Sequence, residues 1–436
     1  MSVPTLQGLQ TALSGLMAEQ QALDVTSNNI ANSNTEGYSR ETAVLTPTPP
    51  IEIPAMSVLT GNGGRLGTGV TVETITRIRN SYLDSQYRTQ SSALSGAAAQ
   101  AEELAQAQAA FNEPGGGLAG ELSAFWSAWT SLAQDPTSEA AKEAVVSSGQ
   151  QLAGTLNALS RQLSTIATQA TEQFEARTGP SGEVASYATQ IAQLNGQIKL
   201  AEEAGQQPNE MLDRRDLLLD KLSALAQVSV VKQPNGTETV SFGDAAKPLV
   251  EGTAVNWPQA ITSAAGGQLG TLLALTGPTG TLASYREALD GVAATLAEGV
   301  NTLHTATPFF TGTTAATLAV AVNASEVQTS STAAPGGNDV ALAVAELRGG
   351  TADQRYSALV ERVGSDVRSA QAERANLQTT LTAIDNQRQA VSGVSLDEEM
   401  TNLIAFQRGY QASARTLTAM DSMLETLIQH TGVVGL

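Results

Sequence analysis

Apolar residues gather at the two ends of the chain in a helical rhythm. Leu6, Leu9, Leu13, Leu16, Leu23 and Ile30 recur at one end, and Leu396, Met400, Leu403, Tyr410, Leu417, Leu424 and Ile428 at the other. Spacings built from three and four residues set each group along one side of a helix, the pattern of a coiled-coil seam or a bundle face. A long helix with a bare apolar stripe needs a second apolar surface, and the nearest complementary one belongs to the opposite terminus. The two stripes are therefore expected to form an assembly seam, mobile in a lone monomer and ordered by packing.

The first helix should open near Pro4, which suits a first turn because it has no amide hydrogen to leave unpaired. It should stop around Asn28 to Asn34, where Asn tolerates a left-handed helix end and Gly37 adds freedom. Residues 43 to 75 hold four prolines between Pro47 and Pro54, then a run of glycines and short β-branched stretches such as Val70-Thr-Val72, which predicts a loop with irregular strands or a hairpin. Helix returns from Ile78 to Phe111. Another is expected to begin at Asp135-Pro136 and run to Arg177, followed by a helical hairpin over 183–204 and 209–226.

Alternating β-formers then flank Asn235-Gly236, the signature of a β-hairpin. Residues 268–305 and 338–390 read as helical, with a Thr, Ala and Gly-rich stretch of weak strand or linker at 306–337. The expected fold class is mainly α, a long helical bundle or coiled coil formed by the N- and C-terminal segments with small inserted β elements. Its divisions are a terminal coiled-coil assembly domain (1–42 with 393–436), a helical bundle (43–225 with 260–392), a hairpin insertion (226–259) and a short linker (306–337).

A chain of 436 residues is long enough for two or three domains. Aromatics make up 4%, so the core is expected from Leu, Val and Ala on closely approaching helices rather than around a deep pocket. No run of eighteen apolar residues appears, which predicts no membrane insertion. The first twenty residues carry no Lys or Arg, which argues against a cleaved secretory signal. Cysteine is absent, leaving no disulfide or thiolate site. A net charge of -19 works against nucleic acid and anionic membrane surfaces.

Candidate chemistry is sparse. His304 and His430 are the two histidines, and neither has the spacing of a metal pair or a Ser/His/Asp set. Gly61-x-Gly63-Gly64 and Gly115-Gly116-Gly117 lack the context and the Lys of a phosphate loop and read as turns. Asp397-Glu398-Glu399 reads as helix capping, because Ser395-x-x-Glu398 fits a capping box and first-turn acids complement the helix dipole. No catalytic, cofactor-binding or metal residue is predicted. Asn28, Asn29, Asn32, Asn34, Gly37 and Tyr38 suit a helix cap followed by a turn, and a turn fixed there makes them candidate subunit contacts as well.

Leu13-Ser-Gly-Leu16, Ala22-Leu-Asp-Val-Thr-Ser-Asn-Asn-Ile-Ala-Asn32 and Asn34-Thr-Glu-Gly-Tyr-Ser-Arg40 resemble the amino-terminal signature of the bacterial flagellar axial proteins. That group includes rod, hook and hook-associated subunits. The stretch Gly393 to Arg415 looks like the carboxy-terminal motif of the hook-associated members. In the middle, Leu194-Asn-Gly-Gln-Ile198, Met211-Leu-Asp-Arg-Arg-Asp-Leu-Leu218 and Val300-Asn-Thr-Leu-His304 are similar to the FlgK family. A rod or hook subunit should lack this midsection, and an enzyme displayed on the flagellum would need an inserted catalytic domain.

The resemblance implies a structural subunit at the hook-filament junction, forming a ring-like helical zone with copies of itself. Its implied neighbours are the hook protein and a second junction protein of the FlgL type. It also implies export through the flagellar type III apparatus and a FlgN-type cytoplasmic chaperone. Leu403, Phe406, Tyr410, Leu417 and Leu424 are the expected chaperone anchors, since an exposed stripe there is an aggregation hazard. Longer family members carry a sizeable outer domain where this chain has only its 306–337 linker.

Overall fold

Helix α1 runs over Pro4–Ala31 in a computed structural model that describes residues 4–53, 64–112, 116–332 and 336–430. The side chains of Leu6 and His430 lie outside the described residues. The helix ends where the Asn32 N–H returns to the Asn28 carbonyl at 3.0 Å. Gly37 completes the turn at φ +82°, and a Cβ there would stand 3.1 Å from the Leu217 Cβ. Conformation and space both demand glycine.

The irregular region after α1 is a twisted antiparallel ribbon, in which β1 (Glu41–Pro47) pairs with β4 (Val70–Arg77) and β2 (Ile51–Ile53) with β3 (Gly64–Leu66). Helix α1 lies along β1 and β4. Helix α2 (Ser81–Phe111) starts at Asn80, whose Oδ1 accepts from the amides of Tyr82 and Leu83.

Helices α3 (Leu118–Gln134) and α4 (Glu139–Thr178) follow. The expected cap at Asp135 is displaced: Asp135 closes α3, with its N–H on the Ser131 carbonyl, and Ser138 Oγ caps α4 by accepting from the Ala141 N–H at 3.2 Å. Reversing direction between two packed helices consumes Pro136 and Thr137 in the turn.

Helices α5 (Glu183–Glu203) and α6 (Asn209–Leu225) form the expected hairpin. Strands β5 (Val228–Lys232) and β6 (Glu238–Phe242) flank Asn235-Gly236 as read, but the sheet continues through β7 (Pro248–Glu251) and β8 (Ala254–Val255) in the order β5-β6-β7-β8. Helices α7 (Gly267–Thr276), α8 (Thr281–Leu303), α9 (Asp339–Ala345), α10 (Thr351–Ser392) and α11 (Leu396–His430) complete a mainly α architecture.

Two buried clusters hold the body together. The first joins α2, α3, α4, α8, α9 and α10 around Phe125, Trp126, Trp129, Phe309 and Phe310, whose rings stand 4.8 to 6.3 Å apart where they touch. The second cluster packs α5 and α6 against β6 and β7 and the start of α7. Residues 183–225, expected as part of the bundle, therefore bury their apolar faces with the sheet, because α6 runs directly into β5.

Of the two readings of 306–337, weak strand or linker, the described residues up to 332 take the first. Phe309, Phe310, Ala315, Leu318, Val322 and Val327 are buried in the first cluster, and β9 (Phe310–Thr311) pairs with β10 (Ala319–Val320). Asn157 donates to the carbonyls of Ala315 and Leu318, and Asn301 both donates to and accepts from the Phe310 backbone. His304 holds the same cap, with Nδ1 on the Thr307 carbonyl and Nε2 accepting from the Gln328 N–H at 2.8 Å. Both ring nitrogens are occupied structurally.

Candidate functional site

The end of α1, the turn after it, β4, α6, the end of α10 and the start of α11 converge on one polar knot. Asn29 is its centre and is buried. Its Nδ2 donates to the Glu41 carbonyl (2.9 Å) and to Glu399 Oε2 (3.2 Å), while its Oδ1 accepts from the Glu41 N–H (2.9 Å) and the Tyr38 hydroxyl (2.8 Å). The amide uses both donors and both lone pairs, as a buried amide must to avoid a desolvation cost. Asn28 and Asn32 close the helix end by a 2.8 Å side-chain bond, and Asn28 also donates to the Tyr38 hydroxyl. Burial, then the charges of Glu41, Asp213 and Glu399, hold the Tyr38 phenol protonated well above its ordinary range.

Arg40 ties three elements. Its N–H donates to the Ser392 carbonyl at the end of α10, and its carbonyl accepts from the Ile78 N–H. Its guanidinium pairs with Glu398 at 2.6 Å and with Glu399 at 2.8 Å. The three acids stand in the first turn of α11, as the dipole reading expects, and the Glu398 and Glu399 carboxylates in addition turn toward Arg40 and Asn29.

Behind the turn lies an ion network on one face of α6. Asp213, Asp216 and Asp220, three and four residues apart, project together as helix geometry requires. Arg77 pairs with Asp213 (2.5 Å) and Asp216 (3.1 Å), and Arg88 with Asp216 (3.1 Å) and Asp220 (2.8 Å). Arg79 makes a two-pronged contact with Asp84 and reaches the Ser39 hydroxyl. Arg388 joins Asp220 at 2.6 Å and lies 3.9 Å over the Tyr87 ring. Burial alone would raise the Asp216 carboxyl, but Arg79, Arg88 and Arg77 outweigh it and hold the group below its usual range.

The opposite face of α6 carries a second lock. Arg215 donates to Asn195 Oδ1 and the Gly236 carbonyl and pairs with Glu238 at 2.9 Å, while Asn195 Nδ2 donates to the carbonyls of Glu238 and Gly252. The first two midsection motifs, through Asn195 and Arg215, thus fasten α5 and α6 to the sheet. Burial lowers the Arg215 guanidinium and raises the Glu238 carboxyl from their ordinary values.

The terminal stripes lie on one antiparallel helix pair. Asn29 meets Glu399, Glu19 lies against Gly409, Gly15 faces Ser413 and Gly8 faces Met420, a single unbroken register. The closest approaches use small residues, and Ala12, Ala18, Ala22 and Val25 are the buried hydrophobic side chains among the described residues of α1. Leu9, Leu16, Leu23 and Ile30 are half-buried and Leu13 is 41% exposed. On α11, Leu403, Phe406, Tyr410, Leu417 and Leu424 are half-buried, whereas Leu396, Met400 and Ile428 are 51%, 51% and 74% exposed. Asn34 is exposed and lines, with Gly37, Arg79, Tyr87 and Arg388, a cleft of about 840 Å³ beside the knot.

Sequence reasoning missed the knot as chemistry. Its local signal, Asp213-x-x-Asp216-x-x-x-Asp220 with Arg77-x-Arg79, is present in the chain. Among the described residues no helix is long and apolar enough to cross a membrane, and no cluster of three or more His, Cys, Asp or Glu could hold a metal ion.

Family models match three parts of the chain: the flagellar hook-associated protein FlgK helical domain over 104–264, the flagellar basal body rod FlgEFG protein C-terminal over 386–430, and the flagella basal body rod protein over 9–38. The ends therefore carry the axial proteins at large, including the carboxy-terminal stretch expected to single out hook-associated members, and the middle carries the particular family. Flagellar hook-associated protein 1 of Bacillus subtilis strain 168 is 30% identical over 508 residues, covering 99% of both chains. The protein of that name from Salmonella typhimurium is 30% identical over 257 residues, covering 58% of this chain and 44% of its own. The solved hook junction protein FlgK of Burkholderia pseudomallei overlaps 50% of this chain and 43% of its own, with a TM-score of 0.45 at 28% identity. With the Bacillus relative aligned from end to end, the chain belongs to the FlgK family of flagellar hook-associated proteins.

Proposed function

We propose that the chain is a structural subunit joining hook to filament, assembled through its paired terminal helices and exported by the flagellar type III apparatus. Membership of the family makes it a structural protein of the flagellum associated with the hook. The observation that carries the finer reading is the antiparallel α1–α11 pair, anchored to the body by Asn29, Arg40 and Glu399 yet leaving Leu13, Met17, Leu396, Met400 and Ile404 uncovered. Large exposed apolar residues in one helix pair mark a surface meant for other chains.

In this reading the terminal pair is the assembly domain, the two buried clusters form the body, and the 306–337 cap stands where longer relatives carry an outer domain. The neighbours are further copies in a ring-like helical zone, the hook protein and a FlgL-type junction protein. A FlgN-type chaperone takes Leu403, Phe406, Tyr410, Leu417 and Leu424 before export. Asn28, Asn29, Asn32, Gly37 and Tyr38 act by fixing where the terminal pair points.

Leu13→Asp tests the assembly role. The side chain is exposed enough for the monomer to fold with a charge there, whereas burial of that charge between subunits is costly. Export into the medium is expected to continue while filaments fail to form. Normal filaments on a Leu13→Asp subunit overturn the reading.

A further inference from the structure

Three Asn-Gly pairs occur in the chain, at Asn62-Gly63, Asn195-Gly196 and Asn235-Gly236. Such a pair can react with itself, because a glycine nitrogen has no neighbouring Cβ to bar its approach to the asparagine side-chain carbonyl. The first pair lies outside the described residues. The second is locked. Asn195 is buried in α5, its Oδ1 accepts from Arg215 and the Glu238 N–H, and its Nδ2 donates to two carbonyls.

The third pair stands at the tip of the β5–β6 hairpin, with Asn235 exposed. Its Oδ1 accepts from the Thr237 N–H at 3.2 Å and from the Thr237 hydroxyl at 2.7 Å, an Asx turn whose ring of bonded atoms encloses the Gly236 nitrogen. Two donors aimed at one carbonyl oxygen act as an oxyanion hole for any charge that develops there. Asn235 Nδ2 makes no hydrogen bond among the described residues. Glycine is fixed at 236, since φ is +76° and a Cβ would collide with the Glu202 carboxylate.

We propose that Asn235 is a self-modification site, at which the Gly236 nitrogen displaces ammonia from the Asn235 amide while Thr237 stabilises the oxyanion. Gly236 gives its amide proton to water or hydroxide, and its nitrogen bonds to Asn235 Cγ as negative charge moves onto Oδ1. The bond from Cγ to Nδ2 then breaks, Nδ2 takes a proton from water, and ammonia leaves behind a succinimide. Water opens that ring at either carbonyl, giving aspartate or isoaspartate. The sum is one water consumed and one ammonia released.

The product bears on the lock between the sheet and α6. The Gly236 carbonyl accepts from the buried Arg215 guanidinium at 2.9 Å. Isoaspartate adds one carbon to the main chain just ahead of Gly236 and moves that carbonyl out of position. A buried donor left without its acceptor weakens what it holds, so conversion loosens the hairpin from α6.

The test ages the purified full chain and reads tryptic peptides by mass against a zero-time control. Each Asn-Gly pair falls in its own peptide, 41–65, 178–199 and 233–286. Peptide 233–286 should gain the mass difference between an amide and an acid, placed at Asn235 by fragmentation and partly as isoaspartate, and faster as pH rises. Peptide 178–199 should stay unchanged. Thr237→Val keeps the shape and removes the hydroxyl donor, so it should slow conversion at least about threefold, and Thr237→Ser should restore the rate. Amides over 209–225 and 238–242 should exchange faster in the aged chain than in the fresh one. If Asn235 stays unconverted over the time in which the urea-unfolded chain converts it, the site is overturned. A Thr237→Val chain that converts as fast as the unaltered one, or faster, overturns the proposal as well, because the turn then restrains the amide instead of activating it.

Discussion

Asp216→Asn removes one charge from the centre of the ion network and nearly preserves its shape. Asp216 contacts Arg88 and Arg77 at 3.1 Å and stands 3.7 Å from Arg79, with 14% of its side chain exposed. Removing one partner of a fully buried ion pair costs about 3 to 5 kcal/mol, because the remaining charge is left unpaired. Here each arginine keeps another carboxylate: Arg77 has Asp213, Arg79 has Asp84 and Arg88 has Asp220. That retained pairing and the residual exposure reduce the expectation to about 2 to 3 kcal/mol.

The pH dependence follows from the depressed carboxyl. Asp216 contributes its stability above the ordinary value of 3.8 and loses it as pH falls through the lower folded-state value. The gap between the unaltered chain and Asp216→Asn should therefore be full at pH 7 and close in strong acid. Urea unfolding followed by circular dichroism measures the gap, with the denaturant slope unchanged. Exchange of the α6 amides locates it, since two clusters need not unfold as one unit. A gap below about 0.5 kcal/mol, or one that stays constant from pH 7 to pH 3, refutes the claim that the network stabilises the fold through charge.

Glu103, buried between α2 and α4, accepts from Gln173 at 3.1 Å while its Oε2 has no partner, and burial raises its carboxyl above 4.5. The folded chain thus loses stability as pH rises from 4.5, so Glu103→Gln should stabilise by about 1 kcal/mol at pH 8 and by less at pH 5, read from denaturation midpoints. Phe309→Ala empties a fully buried ring site among Phe125, Trp129 and Phe310 and should cost about 3 to 5 kcal/mol. Tryptophan emission should redden, and amides over 304–328 should exchange faster.

What the sequence made legible was whatever depends on period. The α1 and α11 helices, the α5–α6 hairpin and the Asn235-Gly236 turn follow from spacing and turn chemistry, and the structure forms each. The side of α1 that closes on α11 did not follow, because period marks the largest side chains while the closest packing goes to Gly8, Gly15 and the buried alanines. Composition left the 306–337 stretch as weak strand or linker, and the two adjacent phenylalanines were the signal that it enters the core. The α3 helix carried Leu118, Leu122, Phe125, Trp126, Trp129 and Leu132 at helical spacing and went unread. The knot was out of reach for another reason. Arg77, Arg88 and Arg388 come from separate elements, and only the tertiary fold brings them to one face of α6.

The division between a polar knot and an apolar pair fits the work of a joint. Apolar contact is non-directional, so helices that meet through Leu and Met can exchange partners or slide by a turn without losing most of their burial. Charge-assisted hydrogen bonds from arginine forks are strict in distance and angle. Placing the strict contacts where α1, Arg40 and α11 leave the body fixes the direction of the pair, and leaving slack contacts along the pair allows its surface to be re-covered. A subunit passing between a solitary state and a packed assembly needs both, and the Asn29 amide is the atom group at which the two regimes meet.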